Sequence, residues 1–292
     1  TGNYENMKQM CFTAFNNGIT HFDLANNYGP EPGSAEKNFG RIYKENLKPY
    51  RDELLISTKA GYLMWEGPYG DWGSRKYLIA SLDQSLQRMG LDYVDIFYHH
   101  RPDPETPLEE TMGALDSIVK SGKALYVGLS NYNGSQMEKA AALLADLKCP
   151  FVINQNRYSI FDRTIEQNGL KDSAATAGKG VITFSPLAQG LLTNRYLHGV
   201  PEDSRIRTDG RFLKEQALTE EKLTRIKALN EIAMVRGESL AQMALKWILK
   251  DDVITSVLIG ASKPSQILEN LKVLDSQPFT GEELAKIDEY SL

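Results

Sequence analysis

The chain has 292 residues, of which 41% are hydrophobic and 24% are charged, and this balance is typical of a globular protein. Its formal net charge of −5 argues against a dedicated nucleic-acid-binding protein, because such proteins neutralise phosphates with a surplus of Lys and Arg. The same charge leaves room for a local basic pocket that binds one small phosphate.

Seven strand-like runs are predicted along the chain. Each is a continuous apolar stretch rather than an alternating one, which favours strands that are covered on both faces. In chain order the runs are 19–25, 54–59, 93–99, 124–130, 151–156, 181–186 and 256–260.

Amphipathic helical patterns lie between these runs. Their ends carry typical helix punctuation, such as Pro107 near a first turn and Gly18, Gly90 and Gly122 at C-terminal ends. The predicted helices are 7–18, 34–47, 75–90, 107–122, 135–147, 220–237 and 239–250.

Strands that alternate with helices predict βαβ units and a parallel sheet, which is an α/β fold. Seven strands would also suit an open doubly wound sheet, but no GxGxxG follows a strand, which weakens that alternative. We therefore predict one (β/α)8 TIM-barrel domain over residues 1–292, with its first strand upstream of Thr1.

Two connections are long, at residues 60–75 and 191–218. The first carries Trp65, Tyr69 and Trp72, which suit either a substrate wall or aromatic cover of the loop. Both connections follow strands, and barrel active sites lie at the carboxyl ends of strands.

The cysteines Cys11 and Cys149 have neither a disulfide framework nor a metal-ligand spacing. No apolar run approaches the ~20 residues of a membrane span, and the N-terminal residues show no signal sequence. We expect a cytoplasmic protein without membrane insertion and without a metal site.

Four reactive side chains lie at or just past the ends of the first three predicted strands: Asp23, Tyr28, Lys59 and His100. In a barrel they would converge on one mouth. A lysine ammonium favours the phenolate and lowers the pKa of a tyrosine, a carboxylate holds that ammonium, and an imidazole can orient a substrate oxygen. The set predicts protonation of a developing oxyanion, as in carbonyl reduction with a nicotinamide hydride.

Each of these residues also has an ordinary structural explanation. A Tyr after a strand usually packs against neighbouring side chains, and a Lys there usually extends into solvent. An Asp after a strand often caps the next helix. His99 and His100 are adjacent and would point to opposite faces of a strand, so one of them is expected to be structural.

A second site is predicted near the C-terminus, where a strand is followed by Gly260, Ser262 and Pro264. Ser as N-cap and Pro in the first turn open a helix whose free N–H groups attract anions, although a well-capped surface helix has the same pattern. The adjacent charge is Lys263, and one helical face carries Gln266, Glu269 and Asn270.

These segments resemble the aldo-keto reductase superfamily, in the branch of bacterial glyceraldehyde-3-phosphate/methylglyoxal-type reductases and potassium-channel beta subunits. The matching motifs occur in family order over nearly the whole chain: FDLANNYG, GSAE, STKAG, LDYVDIFYHHRPD, VGLSN, INQNRY, FSPLAQGLL and IGASKPSQILEN. The resemblance implies that Tyr28 protonates the carbonyl, that Lys59 and Asp23 tune it, and that His100 orients the substrate.

The resemblance also implies a bound NADPH. Ser130, Asn131 and Gln155 would hold the carboxamide, and Phe184 would stack on the nicotinamide ring. The pyrophosphate path would be lined by Ser185, Pro186, Leu187, Ala188, Gln189, Gly190, Arg195 and Arg205. The adenosine and its 2′-phosphate would be held by Gly260, Ser262, Lys263, Gln266, Glu269 and Asn270. An Arg and a Lys among these cofactor residues favour NADPH over NADH, because a dianionic phosphate rewards charged donors.

The resemblance favours NADPH-dependent reduction of small aldehydes or ketones, with glyceraldehyde 3-phosphate and methylglyoxal as examples. One alternative is a cofactor-binding regulatory subunit of a channel-like partner, but channel beta subunits tend to lack the His before RPD, which here is His100. Another is a Schiff-base lyase with Lys59 as nucleophile, which the cofactor-like segment 256–270 argues against. The sequence leaves a homo-oligomer open.

Overall fold

The computed structural model describes residues 4–197 and 218–291. The chain divides into two compact units, one formed by Thr1–Asn156 and Asn168–Val181 and the other by Arg157–Gln167 and Ile182–Leu292. The prediction of a single domain stays a prediction.

The first unit is built on parallel strands that pair in sequence order. They are β1 (His21–Asp23), β2 (Leu55–Ala60), β3 (Val94–His99), β4 (Ala124–Ser130) and β5 (Phe151–Arg157). The register places Asp23 opposite Ser57, Lys59 opposite Tyr98, and Ser130 opposite Gln155. Because parallel strands end at one edge, this register brings the polar residues of the carboxyl ends together.

The first helix of this unit precedes β1, and its other helices each follow a strand. The helices are α1 (Tyr4–Asn16), α2 (Ser34–Ile42), α3 (Arg75–Met89), α4 (Leu108–Lys120), α5 (Gly134–Asp146) and α7 (Leu170–Thr176). α2 begins at Ser34 as expected and continues as a π-turn, Tyr43–Leu47. Gly18, Gly90 and Gly122 have positive φ angles just beyond their helices, as the sequence predicted for C-terminal glycines.

The second unit contains the end of β6 (Gly180–Phe184) and all of β7 (Ile254–Val257), which meet where Leu258 N–H donates to Thr183 O at 2.8 Å. Its helices are α6 (Thr164–Gln167), α8 (Glu220–Val235), α9 (Leu240–Ile248), α10 (Pro264–Leu271) and α11 (Gly281–Glu289). β7 starts two residues before the predicted run 256–260 and ends three residues before its end, so Gly260 is in the loop that follows the strand.

Seven strands in sequence order, with helices between them, are found in the described residues. This is the arrangement of a (β/α)8 barrel, and the predicted fold class is confirmed. Among the described helices, none is both long and apolar enough to cross a membrane.

Candidate active site

Asp23 and Lys59 form an ion pair at the carboxyl ends of β1 and β2. Lys59 Nζ lies 2.5 Å from Asp23 Oδ2 and donates to the Leu24 carbonyl at 2.7 Å. The Lys59 side chain has no exposed surface, and Asp23 keeps 8% of its side-chain surface accessible. A buried ammonium needs compensating partners, and Asp23 and Leu24 supply them.

Asp23 accepts hydrogen bonds from three side chains. Besides Lys59, the Ser57 hydroxyl donates to Oδ1 at 2.7 Å, and the Gln155 amide donates to the same oxygen at 3.1 Å. Oδ2 therefore faces Lys59 while Oδ1 is held by β2 and β5. These hydrogen bonds fix the orientation of the carboxylate.

Tyr28 lies on the loop after β1, beside Lys59. The Lys59 ammonium is 5.0 Å from the centre of the Tyr28 ring, and 38% of the Tyr28 residue is exposed. Backbone hydrogen bonds from Tyr28 N–H to Ala25 O and from Ala35 N–H to Tyr28 O fix the loop, each at 3.1 Å. Tyr28 is thus partly exposed while its backbone is held.

The pKa of Tyr28 is raised above 10. Loss of hydration raises it most, and the charge of Asp23 raises it further, whereas the charge and hydrogen bonding of Lys59 lower it. The effect of Lys59 on the Tyr28 pKa was expected from the sequence. The larger effect of dehydration was not, because it comes from the walls of the site.

His100 follows β3 and faces Tyr28. The two rings meet edge-on, with centroids 5.9 Å apart, and Tyr62 packs edge-on against His100 at 4.6 Å. Dehydration, and then the charge of Lys59, hold the pKa of His100 well below 6.5, so its imidazole is neutral near pH 7. Within the described structure its Nδ1 is buried without a hydrogen-bond partner.

His99 has the structural position expected for one of the two adjacent histidines. It is fully buried, its Nδ1 lies 2.7 Å from the Tyr132 hydroxyl, and burial lowers its pKa to about 4. His100, not His99, therefore belongs with Tyr28 and Lys59.

The three residues expected to bind the carboxamide lie together at the ends of β4 and β5. Asn131 N–H donates to Gln155 O at 3.1 Å. The Asn131 side-chain amide donates to His100 O at 2.9 Å and to Ser130 Oγ at 3.3 Å, and Asn131 has a positive φ of 61°. Asn131 therefore connects this group to the backbone of His100.

The long loop after β2 is held by the residue that follows His100. Arg101 donates to Gly61 O at 2.6 Å and to Asp71 Oδ1 at 2.7 Å. Trp72 and Tyr62 both stack with its guanidinium. Trp72 in this loop thus packs on Arg101, and Trp65 packs on Tyr77 with centroids 5.3 Å apart.

The second unit has a cavity of about 490 Å³. Most of the residues predicted to bind pyrophosphate and adenosine line it: Ser185, Pro186, Leu187, Gln189, Gly190, Arg195, Gly260, Ser262, Gln266, Glu269 and Asn270. Phe184, Ala188 and Lys263 are not among the lining residues, although each is a sequence neighbour of one. Arg205 lies outside the described residues.

The backbone that follows β6 turns sharply where it lines the cavity. Ser185, Ala188 and Gln189 all have left-handed φ angles, of 55°, 47° and 62°. Non-glycine residues rarely adopt this conformation, and such residues cluster at ligand-binding sites. The Gln189 amide donates to Ser185 Oγ at 3.0 Å, which closes the turn.

The start of α10 differs from the sequence prediction. The N-cap is Lys263 and Pro264 is the first helical residue, so Ser262 is one residue further out than expected. The Ser262 N–H donates to Gln266 Oε1 at 2.7 Å, so the third helical residue reaches back beyond the N-cap. Glu269 is paired with Lys272 at 2.6 Å.

Sequence reasoning missed His21 and Ser57, which extend the hydrogen bonding of Asp23. His21 Nε2 lies 2.8 Å from Ser57 Oγ. The sequence spacing could have identified them, because His21 lies two residues before Asp23 and Ser57 two residues before Lys59. Residues two apart in a strand lie on the same face. Sequence reasoning also missed Thr193, Asn194 and Ser239 in the cavity wall.

Comparison with known proteins gives one family. The family model described as "Aldo/keto reductase family" matches residues 2–291. The L-glyceraldehyde 3-phosphate reductases of Escherichia coli K12 and O157:H7 are each 56% identical over 289 residues, covering 98% of this chain and 84% of the relative. A probable voltage-gated potassium channel subunit beta of Oryza sativa subsp. japonica is 37% identical over 278 residues, covering 93% of this chain and 83% of the relative.

Proposed function

The chain belongs to the aldo/keto reductase family and is an oxidoreductase, and on this premise we propose that it reduces small aldehydes or ketones to alcohols with NADPH, with Tyr28 as the proton donor. The observation that carries the proposal is the buried Lys59 ammonium held between Asp23 and Tyr28. A bound nicotinamide would supply the hydride.

Lys59 prepares Tyr28 to release its proton. An ammonium has three N–H donors, and Asp23 Oδ2 and Leu24 O occupy two of them. The third can donate to the Tyr28 oxygen, and hydrogen bonding from Lys59 lowers the pKa of Tyr28. As the substrate oxygen gains negative charge it takes the Tyr28 proton, and Lys59 stabilises the phenolate that remains.

His100 orients the carbonyl without competing for the proton. Its lowered pKa keeps the imidazole neutral, so it can donate one N–H to the substrate oxygen. Asn131 holds the His100 carbonyl, and Tyr62 packs against the ring. These contacts restrict the imidazole to the side of the site where Tyr28 lies.

The donor groups of the cavity in the second unit suit a dinucleotide. Arg195, Gln189 and Ser262 are hydrogen-bond donors of the kinds that bind phosphate oxygens. The left-handed turn at Ser185–Gln189 would approach the pyrophosphate, and Gln266 and Asn270 would bind the adenosine. Lys263 next to this wall supports NADPH over NADH, since the 2′-phosphate adds negative charge.

Similarity to the E. coli enzymes supports a short aldehyde as substrate. The relatives are named for L-glyceraldehyde 3-phosphate, and at 56% identity over 98% of this chain that substrate and methylglyoxal are our first candidates. The two cysteines of the chain are free, which supports a reducing, cytoplasmic location.

The second candidate is a regulatory subunit that binds NADPH and turns over little. It is supported by 37% identity to a probable potassium channel subunit beta. The joint presence of Tyr28, Lys59, Asp23 and His100 favours the enzyme, because each has the neighbours that proton transfer needs.

The test is Tyr28→Phe. We expect turnover to fall roughly 10²–10⁴-fold, the usual contribution of a general acid, while NADPH binds with unchanged affinity. Tyr126→Phe, in an exposed tyrosine on β4 of the same unit, is the control and should keep full turnover. If Tyr28→Phe retains turnover, Tyr28 is not the proton donor.

The substrate is tested by following NADPH oxidation with short aldehydes, including phosphorylated trioses and methylglyoxal. An enzyme should prefer one of them by kcat/KM. Tight NADPH binding with no response to any aldehyde would favour the regulatory subunit.

A further inference from the structure

Behind the Asp23–Lys59 pair lies a hydrogen-bonded chain that the proposed mechanism does not use. Ser57 Oγ lies 2.7 Å from Asp23 Oδ1 and 2.8 Å from His21 Nε2. Ser57 is fully buried on β2, and His21 is the first residue of β1. These hydrogen bonds therefore connect the amino-terminal end of β1 to the carboxylate that holds Lys59.

The direction of each hydrogen bond follows from the chemistry of the groups. An ionised carboxylate only accepts, so the single Ser57 hydroxyl proton points at Asp23. The Ser57 oxygen must then accept from His21, which requires a proton on Nε2. The structure thus fixes the tautomer of His21.

Burial, more than the surrounding charges, keeps His21 neutral. Burial lowers the pKa of His21, and the charge of Lys59 lowers it further, while Asp23 and Asp95 raise it. Asp95 on β3 is itself paired with Arg51 at 2.9 Å. A neutral His21 supplies a donor to Ser57 without adding a cation that would compete with Lys59 for Asp23.

We propose that His21 is a positioning residue for the reaction, which acts through Ser57 to hold Asp23 Oδ1 and so keeps Oδ2 on Lys59. A carboxylate can rotate about its Cβ–Cγ bond, and donors on one oxygen select one orientation. Because His21 donates to the Ser57 oxygen, the Ser57 hydroxyl proton points to Asp23. The inference rests on the proposed role of Asp23, Lys59 and Tyr28.

A double-mutant cycle tests whether His21 acts through Ser57. The variants are His21→Leu, Ser57→Ala, the double variant and His21→Gln, whose amide nitrogen can replace the Nε2 donor. We expect Ser57→Ala to lower kcat roughly tenfold with KM within about twofold, and the double variant to match Ser57→Ala. His21→Leu should lower kcat by a smaller factor that His21→Gln restores.

Two outcomes of the cycle overturn the proposal. One is a double variant whose loss is the product of the two single losses, because the residues would then act separately. The other is a His21→Leu variant with wild-type kcat, or one that His21→Gln does not rescue. The kinetics are measured at a temperature at which thermal melting shows every variant to be folded.

The tautomer of His21 gives a readout that needs no turnover. In ¹⁵N-histidine NMR of the cofactor-free full chain, the signal lost in His21→Leu should show a neutral ring protonated at Nε2, and Ser57→Ala should shift it. A ring protonated at Nδ1 would overturn this inference alone. A wild-type chain that reduces no carbonyl would overturn the proposed function, so the two failures are distinguishable.

Discussion

The guanidinium carbon of Arg101 lies 3.6 Å from the centre of the Trp72 indole ring. The same guanidinium lies 4.3 Å from the Tyr62 ring centre and donates hydrogen bonds to both Gly61 O and Asp71 Oδ1. Because Arg101 directly follows His100, the residue next to the proposed substrate-orienting histidine also secures the long loop after β2.

We predict that Arg101→Lys lowers both stability and catalytic efficiency. Lysine keeps the charge but loses the planar fork and the stacking, which together contribute about 1–3 kcal/mol. Since Tyr62 packs on both Arg101 and His100, we expect kcat/KM to fall roughly tenfold. Thermal melting and steady-state kinetics measure the two effects.

The control for Arg101→Lys is Lys76→Met. Lys76 lies 5.0 Å from the ring centre of Tyr69, a residue with 51% of its surface exposed. Exposed cation–π contacts contribute at most about 1 kcal/mol, so this variant should keep its kinetics. Equal losses in the two variants would contradict a special role for Arg101.

Glu36→Ala should be strongly destabilising. The buried Glu36 carboxylate accepts from Arg88 Nε and from Thr58 Oγ1, each at 2.6 Å, and so links α2 to α3 and β2. Removal of one partner of a buried pair costs roughly 3–5 kcal/mol. The free energy of unfolding in urea measures the loss.

The matched control for Glu36→Ala is Glu45→Ala. Glu45 pairs with Arg41 at 2.9 Å, and both side chains are largely exposed. Exposed pairs contribute at most about 1 kcal/mol. A loss for Glu36→Ala no larger than that for Glu45→Ala would show that burial of this pair does not matter.

Stability should fall in acid because of His99. Its folded pKa of about 4 lies below the unfolded value of 6.5, so the unfolded chain binds the proton first as the pH drops. Neutral His99 therefore makes a contribution of about 3 kcal/mol to the free energy of unfolding. This contribution is fully present above about pH 6.5 and is lost as the pH falls to about 4. Urea unfolding of the wild type and of His99→Gln at several pH values should show a flatter curve for the variant.

Lys263→Met should weaken NADPH more than NADH. If Lys263 binds the 2′-phosphate, its loss should raise the Kd of NADPH roughly tenfold and that of NADH less than about twofold. Lys286→Met is the control, since Lys286 is paired with Glu282 at 2.9 Å on α11. Equal effects on both cofactors would assign Lys263 a different role.

Strand positions and the four reactive residues followed from the sequence because continuous apolar runs end in polar side chains. Asp23, Lys59 and His100 could be grouped since parallel strands end at one edge. The helices α6, α7 and α11 escaped prediction, and the first two have only 4 and 7 residues, too few to show a helical repeat. The bond between Gln155 and Asp23, and the donors behind it, depend on register, which one strand alone does not encode.

The amide of Gln155 reaches Asp23 from 132 residues further along the chain. Contacts with such sequence separation close large loops, and this closure costs conformational entropy. Asp23, Tyr28, Lys59 and His100 are all synthesised before the amide that completes the surroundings of the carboxylate. The full set of hydrogen bonds to the Asp23 carboxylate therefore requires that β5 has joined the sheet.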